Sequence, residues 1–227
     1  MVTSRIIPAC SRRVGKPGSG MTSHQLLACD EQLLAAMIVV LMGVCGCGKT
    51  SVGQALAEKL SWEFADADLF HPDVNKQKMS AGVPLTDEDR YPWLRKLHSV
   101  IYSWISEGRS GVLACSALKR SYRQVLVTGK FPKDIPTSSN ASQHIPEHPD
   151  YCTRPGDVLF IYLRGSKEVI RGRLESRTGH FMPVGLLDSQ FLTLEEPDES
   201  ENSVSVSIAQ PLMAVVMDIY QVIVGLS

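Results

Sequence analysis

Apolar residues recur along this chain with two alternating periods. "MIVVLM" (37–42) is an unbroken apolar run closed by Gly43, the pattern of a central parallel strand buried on both faces. "TSVGQALAEKL" (50–60) follows with Val52, Leu56 and Leu60 on one face, which predicts a helix. "WEFADAD" (62–68) predicts a second strand ending in acids. From His71 to Pro92 the chain is polar and turn-rich; Leu94, Leu97, Ile101 and Trp104 then recur at helical spacing until Gly108 stops them. "GVLAC" (111–115) predicts a third strand, with Ser116 placed to cap a helix carrying Lys119 to Val127. "VLFIYL" (158–163) predicts a fourth, followed by a helix that Ser166 caps and that runs to Gly179. "SVSVSI" (203–208) is the fifth, and Pro211 opens a last helix with Leu212, Val215, Val216, Ile219 and Ile223 on one face.

Strands alternating with helices predict an α/β domain, a parallel sheet covered on both sides, over residues 37–227. Two segments fall outside that plan. Residues 1–36 mix Arg, Ser, Gly and Pro with no acid before Asp30, which predicts a disordered N-terminal extension. The same composition is weakly transit-peptide-like but lacks an amphipathic helix, so a mitochondrial address has less support than a cytoplasmic one. Met21 and Met37 are alternative starts. Between Gly129 and Gly156 lie five of the thirteen prolines, which marks 130–156 as a surface insertion.

Composition narrows the function classes. With 227 residues, 44% hydrophobic and 21% charged, the chain reads as a soluble globular protein. A net charge of −1 argues against a general nucleic-acid or anionic-membrane binder. The six cysteines show no framework spacing and read as reduced thiols. The longest apolar run, from Leu33 to Val44, is too short for the ~20 residues of a membrane span.

The chemistry begins at Gly43–Thr50, "GVCGCGKT", which follows a predicted strand and opens a predicted helix. Gly43, Gly46 and Gly48 let the backbone curl so that successive N–H groups point inward as an anion nest, and the helix end adds partial positive charge. Val44, Cys45, Cys47 and Ser51 complete the loop with their amides; Lys49 reaches the β- and γ-phosphates, and the Thr50 hydroxyl can ligate Mg²⁺. A metal or redox site on the C-x-C pair is disfavoured, because no second ligand pair stands at zinc spacing. No N-K-x-D element marks a GTPase, and no hhhhDE strand marks a motor-type ATPase. Instead Asp66 and Asp68, two apart on an extended chain, point to one side: one to hold Mg²⁺ through a water, the other to orient or deprotonate an acceptor hydroxyl. Arg173 and Arg177, four apart on a predicted helix, suit a mobile lid over about 171–185 that brings guanidinium groups to the transferring phosphate.

The blocks "DADLFHP", "GVPLTDEDRYPWL", "CSALKRSYR" and "GHFMP", in that order after the loop, resemble the gluconate kinase family over residues 38 to about 223, without the insertion. The resemblance implies a P-loop kinase fold, three layers α/β/α around a five-stranded parallel sheet ordered 2-3-1-4-5. It implies ATP- and Mg²⁺-dependent phosphorylation of D-gluconate at its 6-hydroxyl for the pentose phosphate pathway, by a homodimer. Carried over by position, Lys49 and Thr50 serve ATP and Mg²⁺, and Asp66 or Asp68 orients the acceptor. His71, Arg90, Lys119 and Arg123 would line the sugar-acid pocket, with Arg173, Arg177 and His180 in the lid. A carboxylate substrate needs fixed cations and its hydroxyls need acceptors, which this set supplies. Cys45 and Cys47 stand where the family usually has serines, and the nest is expected to depress one thiol's pKa and make it reactive. In "SVSVSIAQP" (203–211) Ser and Ala replace an acid often present near the adenine, which implies looser base selectivity. Two other readings stay open: a P-loop kinase for another hydroxy acid such as shikimate, and a weak nucleotide binder acting through protein partners.

Overall fold

The computed structural model describes residues 3–4, 36–131, 155–176 and 184–226. Five parallel strands form the sheet: β1 (Ile38–Met42), β2 (Glu63–Asp66), β3 (Gly111–Ala114), β4 (Val158–Arg164) and β5 (Ser203–Ser207), in the order β2-β3-β1-β4-β5. Thr3–Ser4 add a short antiparallel pairing on the outer edge of β5, opposite Ser205 and Val204. The expected 2-3-1-4-5 sheet is therefore present, with this edge pairing as an addition.

β1 is unbroken in hydrophobicity because both of its faces are covered. Val39 and Leu41 meet α1 (Lys49–Leu60) and α7 (Leu212–Val224) through Val52, Leu56, Val216 and Ile219. Ile38, Val40 and Met42 face the opposite layer, α3 (Asp87–Ser106) and α4 (Arg120–Thr128), through Leu94, Leu97, Ile101 and Val125. All five β1 residues are fully buried, and each such side chain stabilises the fold by about 1.5–3 kcal/mol. Gly111 opens β3 where the Trp104 ring lies against the strand; a Cβ there would stand 2.4 Å from a ring carbon.

Local chemistry moves several boundaries away from the expected ones. β2 stops at Asp66, because the Asp66 carboxylate accepts the Asp68 N–H (3.0 Å) and turns the chain into a 3₁₀ helix over Ala67–Phe70. Asp68 is therefore not on the strand beside Asp66. The stretch read as turn-rich contains α2 (Asp73–Ser80) and the first turns of α3. A capping box starts α3: Thr86 N donates to Asp89 Oδ2 (2.9 Å) and Asp89 N to Thr86 Oγ1 (3.3 Å). Asp87, Glu88 and Asp89 also favour the positive helix end, and α3 runs through Pro92.

Ser116 caps nothing. α4 begins at Arg120, whose N–H donates to Glu195 Oε2 (2.6 Å), a carboxylate from far along the chain. Ser166 does cap α5 (Lys167–Glu175), accepting from Val169 N. α6 (Val184–Thr193) was not anticipated. On α7, Val215, Val216, Ile219 and Ile223 are buried as expected, whereas Leu212 is exposed. Most of the extension, residues 132–154 of the insertion and the centre of the lid (177–183) lie outside the described residues.

Candidate active site

The phosphate loop links β1 to α1. Gly43, Gly46 and Gly48 have φ of 139°, 78° and 99°, the left-handed region that side chains rarely adopt. At Gly46 a Cβ would also fall 2.8 Å from Leu174 Cγ on α5, so the residue is fixed by space as well as torsion. Gly48 forms the N-cap of α1 with no side-chain cap bond, which leaves the helix N–H groups open to an anion. Cys47 turns into the core and is fully buried, while Cys45 is half-buried. Neither thiol replaces the glycine-built backbone geometry that makes the nest.

Protein oxygens already occupy the groups suited to phosphate. Lys49 Nζ donates to Gly43 O and Val44 O, both at 3.0 Å. Arg173 on α5 donates from Nη2 to Ile208 O (2.5 Å) and from Nη1 to Cys47 O (3.4 Å). Cys45 N donates to Gln190 Oε1 of α6 (2.7 Å). Ser51 lies exposed on the first turn of α1. Arg177 and His180 lie outside the described residues.

The two acids have different surroundings. Thr50 Oγ1 donates to Asp66 Oδ2 at 2.7 Å, on the open side of the loop. A hydroxyl and a carboxylate oxygen in contact there are hard donors that fit Mg²⁺, which at nucleotide sites takes one or two protein oxygens plus phosphates and water. Asp68 has an accessible side chain, yet the protein around its carboxyl withdraws enough water to raise its pKa. The charge of Asp66 pushes the same way, and Lys49 opposes both.

The residues expected on the acceptor side come from separate segments. Lys119, just before α4, donates to both Asp87 oxygens (2.9 and 2.8 Å), and Tyr122 O–H also donates to Asp87. Burial pushes the Asp87 carboxyl up, but these two hydrogen bonds and the charges of Lys119 and Arg90 outweigh it and lower its pKa. Arg90 lies over the Tyr122 ring at 5.8 Å and donates to Leu85 O. Arg90 and Lys119 thus share one ring and lie beside one carboxylate, which makes a cationic corner.

Two expected pocket residues take other roles. His71 is buried, stacked on Trp93 with ring centroids 4.1 Å apart and planes 13° from parallel. Burial, then the charges of Arg90 and Lys76, lower its pKa to about 4, so at neutral pH it is uncharged and adds no cation. Arg123 is only 1% exposed. Its Nε and Nη2 pair with Glu201 (2.5 and 2.8 Å), and Nη1 donates to the carbonyls of Ala117, Leu118 and Glu195. It braces the Ser116–Lys119 loop, where Ala117 sits at φ 43°, instead of lining a pocket. The sequence showed no sign of this, because Glu195 and Glu201 lie more than 70 positions from Arg123. Asp87 stands inside a block singled out for its motif, but only the fold puts it on Lys119.

A parallel sheet ordered 2-3-1-4-5, with a glycine-built phosphate loop after its central strand and an acid pair beyond the next, defines a P-loop kinase. Residues 45–131 match the shikimate kinase family model. The chain belongs to the gluconokinase family. It is 46% identical over 184 residues to a probable gluconokinase of Xenopus tropicalis, covering 81% of this chain and 91% of that one. It is 40% identical over 171 residues to the thermosensitive gluconokinase of Escherichia coli strain K12, covering 75% and 78%. The solved structure of a gluconokinase from Sinorhizobium meliloti 1021 is similar with a TM-score of 0.62 at 40% identity, over 81% of this chain and 89% of that one. Among the described residues no helix is long and apolar enough to cross a membrane.

Proposed function

We propose that this chain transfers the γ-phosphoryl group of ATP to the 6-hydroxyl of D-gluconate, giving 6-phospho-D-gluconate and ADP for the pentose phosphate pathway. The observation that carries the reading is the division of labour between the two acids. Asp66 is engaged with Thr50, and Asp68, with its raised pKa, is the group suited to take a proton. The residues Thr50 and Asp66 would hold Mg²⁺, which when bound neutralises the polyphosphate. Lys49 leaves the Gly43 and Val44 carbonyls for the phosphates, and the loop amides bind them. Asp68 accepts the 6-hydroxyl proton as the hydroxyl oxygen attacks. Arg90 and Lys119 bind the substrate carboxylate, and Arg173, with Arg177 and His180 of the lid, stabilises charge on the transferring group. We assign the protein to the cytoplasm as a homodimer, and the folded kinase unit to residues 37–227 with 1–36 as an extension.

The test is ADP release by the purified protein with ATP and Mg²⁺, with and without D-gluconate, beside shikimate and nucleoside monophosphates. Turnover that requires gluconate, with the product's phosphorus located at carbon 6 by NMR, supports the reading. Turnover with shikimate alone would move the chain to the second reading, which the family-model match over residues 45–131 favours. ATP binding with no acceptor-dependent turnover would replace both with a nucleotide-binding role.

A further inference from the structure

Gln190 belongs to no part of the phosphate loop, the acid pair or the cationic corner, yet its side chain reaches the loop. Cys45 N donates to Gln190 Oε1 at 2.7 Å. A backbone N–H can only face the oxygen end of a primary amide, so this contact fixes which end is which. The nitrogen end, Nε2, has no hydrogen-bond partner among the described residues.

The helix that carries Gln190 is held from three directions. Lys167 Nζ and Arg171 Nη2 of α5 reach Asp188 Oδ1 at 2.7 and 3.7 Å. Leu187 is buried in the core layer that contains Val44 and Cys47. Past the end of α6, Glu195 N donates to Leu118 O (2.8 Å), and Glu195 Oε2 accepts the first N–H of α4. The helix that presents the amide to the phosphate loop is therefore fixed in place.

We propose that Gln190 contacts the phosphoryl group during transfer. Its oxygen is held by Cys45 N–H, and its NH₂ group is a neutral donor to the oxygens of the phosphoryl group in flight. This rests on the phosphotransferase reading above. A donor placed before charge develops stabilises the transition state more than the ground state, so its loss falls on kcat more than on nucleotide affinity.

Gln190→Glu keeps an oxygen for Cys45 N–H and replaces the donor with an anion; Gln190→Ala removes both. The expected result is a fall in kcat of about 100-fold in Gln190→Glu, larger than in Gln190→Ala, with ADP affinity changed by no more than about twofold. Wild-type rate in Gln190→Glu beside a slow Gln190→Ala would overturn the proposal and leave Gln190 as a strut for the loop. A measurement on the unaltered protein covers the case in which a variant does not fold. The Gln190 side-chain NH₂ resonances should shift when aluminium fluoride joins ADP and Mg²⁺, and stay put with ADP and Mg²⁺ alone. No shift would sink the idea. That measurement needs no sugar acid, so a failed gluconate assignment remains distinguishable from a failed role for Gln190.

Discussion

The two halves of the site are built on opposite principles. On the phosphate side, eight consecutive residues supply backbone amides whose directions are set by glycine torsions. Lys49 and Thr50 apart, side-chain identity matters little there: Cys47 faces the core, and the loop closes around it. On the expected acceptor side, charged side chains converge from α3, the β3–α4 loop and the segment after α6, and the buried Arg123, paired with Glu201, binds two of these together. The first half, Lys49 and Thr50 apart, is expected to tolerate substitution wherever torsion and space are kept. The second is exposed to changes made well away from any ligand.

Four experiments would break or sharpen that contrast. The largest effect is expected from Asp68→Asn, which removes the proposed proton acceptor: kcat should fall about 1,000-fold while ATP binding persists. A fall of less than tenfold would shift the proton to another group. Next comes Arg123→Ala, which leaves the part-buried Glu201 carboxylate and three interior carbonyls without their cation and should cost about 3 kcal/mol in urea unfolding. Near-wild-type stability would show that the acceptor half is not braced from within.

The third concerns pH. The folded pKa of His71 is lowered from 6.5 to about 4, so the folded state favours the neutral ring. The stability it lends is complete above pH 6.5 and is lost as pH falls toward 4, where the unfolded chain takes up a proton that the folded one does not. Unfolding of the protein and of His71→Gln, compared at pH 7 and pH 4.5, should diverge by up to about 3 kcal/mol; parallel curves would reject the buried neutral ring. The smallest effect is expected from Cys45→Ser, within about twofold in kcat, because the backbone N–H and not the side chain makes the contact with Gln190. Alkylation mapped by mass spectrometry should label Cys45, which ATP protects, and spare Cys115, whose thiol burial pushes up to about 12.

What could be read from the sequence follows the same division. The strands, α1 and the phosphate loop were legible because each depends on neighbours in sequence: period, glycine and helix end. α2 and α6 were not, since one is polar and short and the other lies beyond the lid. The start of α3 was masked by Pro92, although the Thr86–Asp89 box was there to be found. The spacing of Asp66 and Asp68 predicts one strand for both, but an aspartate that caps its own turn ends the strand it sits on. Arg123 was drawn into the pocket by its motif, and only long-range pairing moved it out.

The internal bonding of Lys49, Arg173 and Thr50 has a consequence for ligand discrimination. A lone anion that meets one of these donors must break an existing hydrogen bond to gain another, and the exchange is nearly even. A nucleoside triphosphate with its metal meets all of them in one event. On the proposed reading, the site therefore favours the extended polyanion over free phosphate or sulfate.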